Sequence, residues 1–210
     1  SLVGSEMCIR DRPNKVVLAT GNPGKIKELA RLLDGLGVEV VTQSEFGVSD
    51  AVESGVTFAE NSLIKARHAA AATGLPAIAD DSGLSVDALS GAPGVYSARY
   101  AGPDANDERN NDKLLEALDD VDDDKRGAAF HCVATYDSAE DDRVIQTEGI
   151  WRGSILRQRQ GSGGFGYDPL FRDPQSGMSS ANLTPEQKSA RSHRGQALRA
   201  LIEQLQQHYS

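Results

Sequence analysis

Two adjacent carboxylates, Asp80 and Asp81, follow the apolar run Pro76-Ala77-Ile78-Ala79, and a third, Glu53, lies in a polar stretch upstream. Carboxylate oxygens suit Mg²⁺, which takes one or two protein carboxylates, keeps several waters and borrows oxygens from phosphate. The same groups can accept a proton from an attacking water. On these residues alone, a paired Asp after a strand is more often a cap or a turn than a metal site. Basic groups recur at Lys25, at Lys65 four residues after Asn61, and at Lys188, His193 and Arg194. With a formal charge of −9, the chain lacks the clustered cations that binding a nucleic acid requires. A small anion needs only a few cations focused in one cleft, because local potential governs its capture.

Two glycine-containing loops offer surfaces for such an anion. In Thr20-Gly21-Asn22-Pro23-Gly24-Lys25 the glycines let backbone N–H groups approach a phosphate, and a following helix N-terminus adds its positive end. A phosphate loop of the Walker type would need Gly at position 19 and Ser or Thr at position 26, where Ala19 and Ile26 stand. By itself the segment also reads as a plain strand-to-helix turn. Gly161, Gly163 and Gly166 satisfy G-x-G-x-x-G, but they lead into a strand instead of a helix, so the dinucleotide reading fails its context. Phe165, flanked by Gly164 and Gly166 and followed by Tyr167 and Asp168, can stack a base and bond its edge. A merely structural loop fits the same residues.

The elements that must position these groups follow from local signals. Lys15–Thr20 is an almost unbroken apolar run, suited to a strand buried on both faces. Asn22 is a favoured N-cap and Pro23 a favoured first helical residue, and Ile26, Leu29, Ala30 and Leu33 form one helical stripe. Val38–Val41 predicts a second strand, and Thr57 with Glu60 a capping box that opens an Ala-rich helix running to Gly74. The run before Asp80 predicts a short strand delivering the two carboxylates at its carboxyl end, where open α/β sheets bind ligands. A turn-rich stretch covers Gly91–Gly102, helical pattern returns over Asn110–Leu118, and the acidic run Asp119–Asp124 reads as a solvated loop. Phe130–Tyr136 and Val144–Trp151 predict a hairpin. Thr184 with Gln187 forms a second capping box, and Ala197, Leu198, Leu201, Ile202 and Leu205 line one face of a last helix.

Strands interleaved with helices imply an α/β protein with a mixed sheet. At 210 residues, 39% apolar and 25% charged, the chain has the profile of one globular domain, assigned to residues 13–210. Ser1–Arg12 shows neither strand nor helix period and reads as a non-native or disordered extension. The two cysteines, Cys8 and Cys132, imply no disulfide framework or thiolate metal site. No apolar stretch is long enough to span a bilayer, so a membrane role is not expected and a cytoplasmic location is the default.

Taken together, the segments resemble the family of inosine/xanthosine triphosphate pyrophosphatases, which act on non-standard purine nucleoside triphosphates. The match is carried, in order, by Thr20–Lys25, Thr57-Phe58-Ala59-Glu60-Asn61, Ala79-Asp80-Asp81-Ser82-Gly83-Leu84, Gly91–Tyr100, Gly164–Pro169 and Ser192-His193-Arg194-Gly195, and runs from Lys15 to about Leu205. The resemblance implies an elongated mixed sheet flanked by helices, two lobes with a nucleotide in the central cleft, and a homodimer. It implies Mg²⁺-dependent hydrolysis of the inosine, deoxyinosine and xanthosine triphosphates to monophosphate and pyrophosphate, which removes deaminated purines from the nucleotide pool. Thr20, Gly21, Asn22, Pro23, Gly24 and Lys25 would then hold the triphosphate, and Glu53 and Asp81 would bind Mg²⁺. Asp81 would act as base toward a water attacking the α-phosphorus, with Ser82 and Lys65 on the phosphates. Phe165, Gly166, Tyr167 and Asp168 would contact the nucleoside, and Lys188, His193 and Arg194 the phosphate and the purine O6 side. Val52 stands beside Glu53 where relatives often carry a second acid, so the metal assignment there leans on Glu53. Two other classes predict different behaviour. A kinase or γ-phosphate-cleaving NTPase would need the Walker or kinase signatures that are missing here, and a regulatory nucleotide-binding module would bind without turnover.

Overall fold

The computed structural model describes residues 13–34, 37–140 and 143–208, so the extension read at residues 1–12 lies outside the described residues. Its elements are β1 (Lys15–Leu18), α1 (Pro23–Leu33), β2 (Glu39–Thr42), α2 (Phe58–Thr73), β3 (Ala77–Val86), α3 (Asp107–Ala117), β4 (Gly127–Ser138), β5 (Arg143–Ile155), β6 (Phe171–Arg172), α4 (Pro185–Arg191) and α5 (His193–His208). The strands form one sheet in the order β2-β1-β3-β4-β5-β6. β1 is parallel to β2 and β3, and the remaining pairings are antiparallel, which makes the sheet mixed as expected.

Local signals account for most helix starts. Asn22 accepts from the backbone N–H of Gly24 and Lys25 ahead of Pro23. Both capping boxes form, at Thr57 with Glu60 and at Thr184 with Gln187. Asn106 caps α3, which therefore begins three residues earlier than the apolar pattern suggested.

β3 departs from expectation. The apolar run Pro76–Ala79 predicts a short strand with both carboxylates at its carboxyl end, yet β3 runs ten residues and the two carboxylates sit in its middle. The reason is its neighbour. β4 supplies an antiparallel partner for every residue from Ala77 to Val86, whereas parallel β1 stops at Leu18 opposite Ile78. The carboxylates thus still lie just beyond the end of a parallel strand, on an edge of β3 that β1 no longer covers.

Two lobes share the long strands. At one end, Leu29 and Leu33 of α1 and Leu198, Leu201 and Leu205 of α5 pack on Leu18, Ile78 and Tyr136. On the opposite sheet face, Ala66, Ala69 and Ala70 of α2 pack on Val17, Ala77 and Ala79. The second lobe gathers Leu84, Val86, Leu114, Leu118, Phe130, Trp151 and Phe171. Asp80–Ser82 lies where the lobes meet. The acidic run after α3 is exposed, as its composition predicted.

Candidate active site

Successive residues of a strand face opposite sides, so Asp80 and Asp81 enter two different environments. Asp80 is fully buried on the α1/α5 side. Lys25 reaches back from the first turn of α1, and its Nζ lies 3.2 Å from Asp80 Oδ2. Arg194, the second residue of α5, places Nε 3.2 Å from the same oxygen. Its Nη2 donates to Ser82 Oγ at 2.8 Å, and its Nη1 donates to Glu28 Oε2 at 2.5 Å. Glu28 also accepts from Lys188 Nζ at 2.5 Å, and that ammonium lies 2.7 Å from Asp168 Oδ2. Burial by itself would raise the Asp80 carboxyl, but Lys25, Arg194 and Lys65 hold it far below the usual carboxylate range. Glu28 is likewise lowered: burial opposes ionisation, and Arg194 and Lys188 outweigh it. Arg194, for its part, is raised because Asp80 and Glu28 overcome the cost of its burial.

Asp81 faces α2. Lys65 Nζ stands 2.8 Å from Asp81 Oδ1 and 2.9 Å from Glu53 Oε1, so a single ammonium bridges the two carboxylates. Arg99 Nη1 approaches the other Glu53 oxygen at 3.9 Å. Burial raises the Asp81 carboxyl and Lys65 only partly offsets it. Lys65 stays an ammonium, since Asp81, Asp80 and Glu53 outweigh its burial. Asp81 Oδ2 is buried with no hydrogen-bond partner, as is Asp80 Oδ1 on the opposite face. Among the described residues no three His, Cys, Asp or Glu side chains gather as a metal cage. The donor set suits a hard cation that takes one or two carboxylates and completes its shell with water and phosphate oxygens, and the orphaned Asp81 oxygen is a ligand atom to spare.

The glycine-rich loop closes the other side. Asp168 Oδ2 accepts from Phe165 N at 2.9 Å and Oδ1 from Ser180 Oγ at 2.8 Å, so both its oxygens serve the loop and Lys188. The Phe165 ring lies under Lys188 Nζ at 4.9 Å and the Arg194 guanidinium at 5.6 Å. It also packs on Gly24, where a Cβ would come within 2.6 Å of the ring. The Tyr167 hydroxyl donates to the Ser97 carbonyl at 2.7 Å. His193 stacks on Phe130 at 4.7 Å and 11°, and its Nδ1 has no partner. Burial, with Arg194 and Lys188 nearby, lowers its pKa well below the ordinary value, so the ring is neutral.

The structure therefore brings Asn22, Lys25, Ser82, Phe165, Gly166, Tyr167, Asp168, Lys188, His193 and Arg194 to the wall of one cleft, about 650 Å³ counting the part continuous with solvent. Gly24 lies behind Phe165 in an adjoining depression. Thr20 and Gly21 shape the turn: Thr20 Oγ1 accepts from Asn22 N at 3.2 Å, and a Cβ on Gly21 would meet the Asp50 carboxylate at 2.8 Å. Glu53, Lys65 and Asp81 stand on the other face of β3, at the exposed edge beyond β1. Glu28 escaped sequence reasoning. Its one signal is an acid three residues after Lys25 on the same helix face, which names no partner.

The Ham1 family model matches residues 16–204. A dITP/XTP pyrophosphatase of Pectobacterium atrosepticum is 60% identical over 192 residues, covering 91% of this chain and 98% of that protein. Among solved structures, a HAM1 protein from Coxiella burnetii superposes with a TM-score of 0.83 at 48% identity, covering 92% of this chain and 98% of that one. A nucleoside-triphosphatase, or dITP/XTP pyrophosphatase, from Mycobacterium abscessus superposes with a TM-score of 0.71 at 45% identity, covering 89% and 98%. With the glycine turn, the paired aspartates and the His-Arg start of α5 all in place, the chain belongs to the Ham1 family.

Proposed function

We propose that this chain is a Mg²⁺-dependent pyrophosphatase that converts inosine, deoxyinosine and xanthosine triphosphates to the monophosphate and pyrophosphate. Hydrolase activity on nucleoside triphosphates carries over from relatives named dITP/XTP pyrophosphatase, 60% identical across nearly the whole chain. The observation that carries the chemistry is Asp81: a half-satisfied, buried carboxylate with a raised pKa, beside Lys65 and Glu53 at the uncovered edge of β3.

The triphosphate lies along the turn Thr20–Lys25, with Lys25 and Lys65 offsetting its charge. Asp81 accepts a proton from water as the water oxygen bonds to the α-phosphorus and the bond from that phosphorus to the bridging oxygen breaks, releasing pyrophosphate. Glu53 and Asp81 would hold Mg²⁺, which when bound stabilises charge on the leaving group. The purine stacks on Phe165. Arg194 carries five N–H donors, of which three are occupied by Asp80, Glu28 and Ser82, so two remain for an oxygen at C6. Adenine presents an amine there and strands those donors, at a cost of about 1–3 kcal/mol each, which makes adenosine triphosphate a poor substrate. The proposal includes a homodimer, supported by the exposed apolar side chains of Phe46, Val52, Val56 and Tyr96, and no nucleic acid partner, supported by the net charge of −9. Among the described residues no helix is long and apolar enough to cross a membrane.

Incubation with inosine triphosphate and Mg²⁺ should release pyrophosphate, and EDTA should stop it. Release of inorganic phosphate would instead mark cleavage at the γ-phosphate, and binding without either product would mark a regulatory module.

A further inference from the structure

We infer that Asp107 and Asn111 of α3 are positioning residues that lock the purine platform by holding both backbone groups of Gly166. This rests on the proposed function in taking Phe165 as the surface on which the base stacks. The two residues are one helical turn apart on the same face of α3. The Gly166 N–H donates to Asp107 Oδ2 at 2.7 Å, and Asn111 Nδ2 donates to the Gly166 carbonyl at 2.9 Å. Gly166 has φ +60°, a left-handed conformation that a glycine adopts without strain but does not by itself hold. Its neighbour Phe165 is the ring under Lys188 and Arg194.

α3 itself cannot drift. Leu114 and Leu118 anchor it in the core of the second lobe, and Asn110 ties it to the Ala98 carbonyl and the Ala101 N–H. Asp107 is exposed and Asn111 is buried. Of the two, only Asp107 borders the cleft, so an effect shared by both runs through Gly166 and not through direct contact with a nucleotide. The latch therefore ties the platform's backbone to the second lobe, whereas the phosphate turn Thr20–Lys25 is set by the first, although the Phe165 ring also packs on Gly24. A loss of the latch should weaken recognition of the nucleoside and leave recognition of the phosphates alone.

Calorimetric titration with inosine monophosphate and, separately, with Mg²⁺-pyrophosphate tests this without depending on turnover. Asp107→Ala and Asn111→Leu should each weaken the monophosphate about fivefold, the scale of one lost hydrogen bond, and leave pyrophosphate unchanged. Asp107→Asn keeps an acceptor for the Gly166 N–H and should restore the wild-type value. The double variant should lose less than the product of the two single losses, because both act on one glycine. The inference is overturned if both ligands weaken alike, if the monophosphate is unaffected, if Asp107→Asn is as weak as Asp107→Ala, or if wild-type protein does not bind the monophosphate. Failure of the proposed function shows separately, as wild-type protein that binds the monophosphate yet releases no pyrophosphate from the triphosphate.

Discussion

Asp80 projects toward α1 and α5, where Lys25 and Arg194 both reach one of its oxygens, while Asp81 projects toward α2 and has a single ammonium that it shares with Glu53. The first is 0% exposed and held firmly ionised; the second is 6% exposed and its carboxyl is raised by burial. An oxygen surrounded by cations is a poor proton acceptor, and an ion pair drawn that deep into the protein is needed where it stands. Asp80 thus gathers Lys25 and Arg194 in the cleft, whereas Asp81 is the carboxylate that the proposed reaction uses. The two share a peptide bond, and the strand's alternation alone puts them in different surroundings, which the proposed function reads as a structural role for Asp80 and a reactive one for Asp81.

That contrast predicts opposite phenotypes. Asp80→Asn leaves buried Arg194 and half-buried Lys25 with one negative charge too few, and should cost about 3–5 kcal/mol of stability, read by urea denaturation. The sign with pH follows from its lowered pKa. The stabilisation is complete above the ordinary carboxylate value of 3.8 and declines as pH falls below it. A loss at neutral pH no larger than that of Asp81→Asn would erase the distinction between the two faces.

Asp81→Asn should lower kcat by ~10²-fold or more with little change in stability, since the carboxyl there is already penalised by burial. A folded variant with near-normal turnover would remove Asp81 from the reaction. A smaller effect sharpens the same point. Asp81 must be ionised to act, so the acid limb of kcat/KM should lie above 3.8 and move downward as Mg²⁺ is raised, because a bound cation favours the carboxylate. A limb independent of Mg²⁺ would detach Asp81 from the metal. The smallest effect concerns the turn: Asn22→Ala removes the cap of α1, and about 1 kcal/mol of stability should go with it, with KM for the triphosphate rising because Lys25 loses its fixed start.

Local elements were legible wherever their cause was local. Asn22-Pro23, Thr57 with Glu60 and Thr184 with Gln187 each form the helix start that their spacing announced. The β4/β5 hairpin followed from its two apolar runs. The full length of β3 was not legible, because its apolar run breaks at Asp80 and what carries the strand onward is its pairing with β4. Glu28, Asp107 and Asn111 gave no such signal. Their partners stand at Lys188 and Arg194, or at Gly166, far along the chain.

By itself the sequence determined where most helices begin, which runs are buried, that the sheet is mixed, and which residue types stand at the glycine turn, the aspartate pair and the His-Arg start of α5. These depend on neighbours within a few positions, where backbone geometry and hydrophobic period act. Only the tertiary structure decided which aspartate meets which cation, which lobe holds the Phe165 loop, and which two carboxylate oxygens, Asp80 Oδ1 and Asp81 Oδ2, are left without a partner. Ion pairing and burial depend on distance through space, and the residues that set them here are brought together by the packing of α1, α3 and α5 on opposite ends of one sheet.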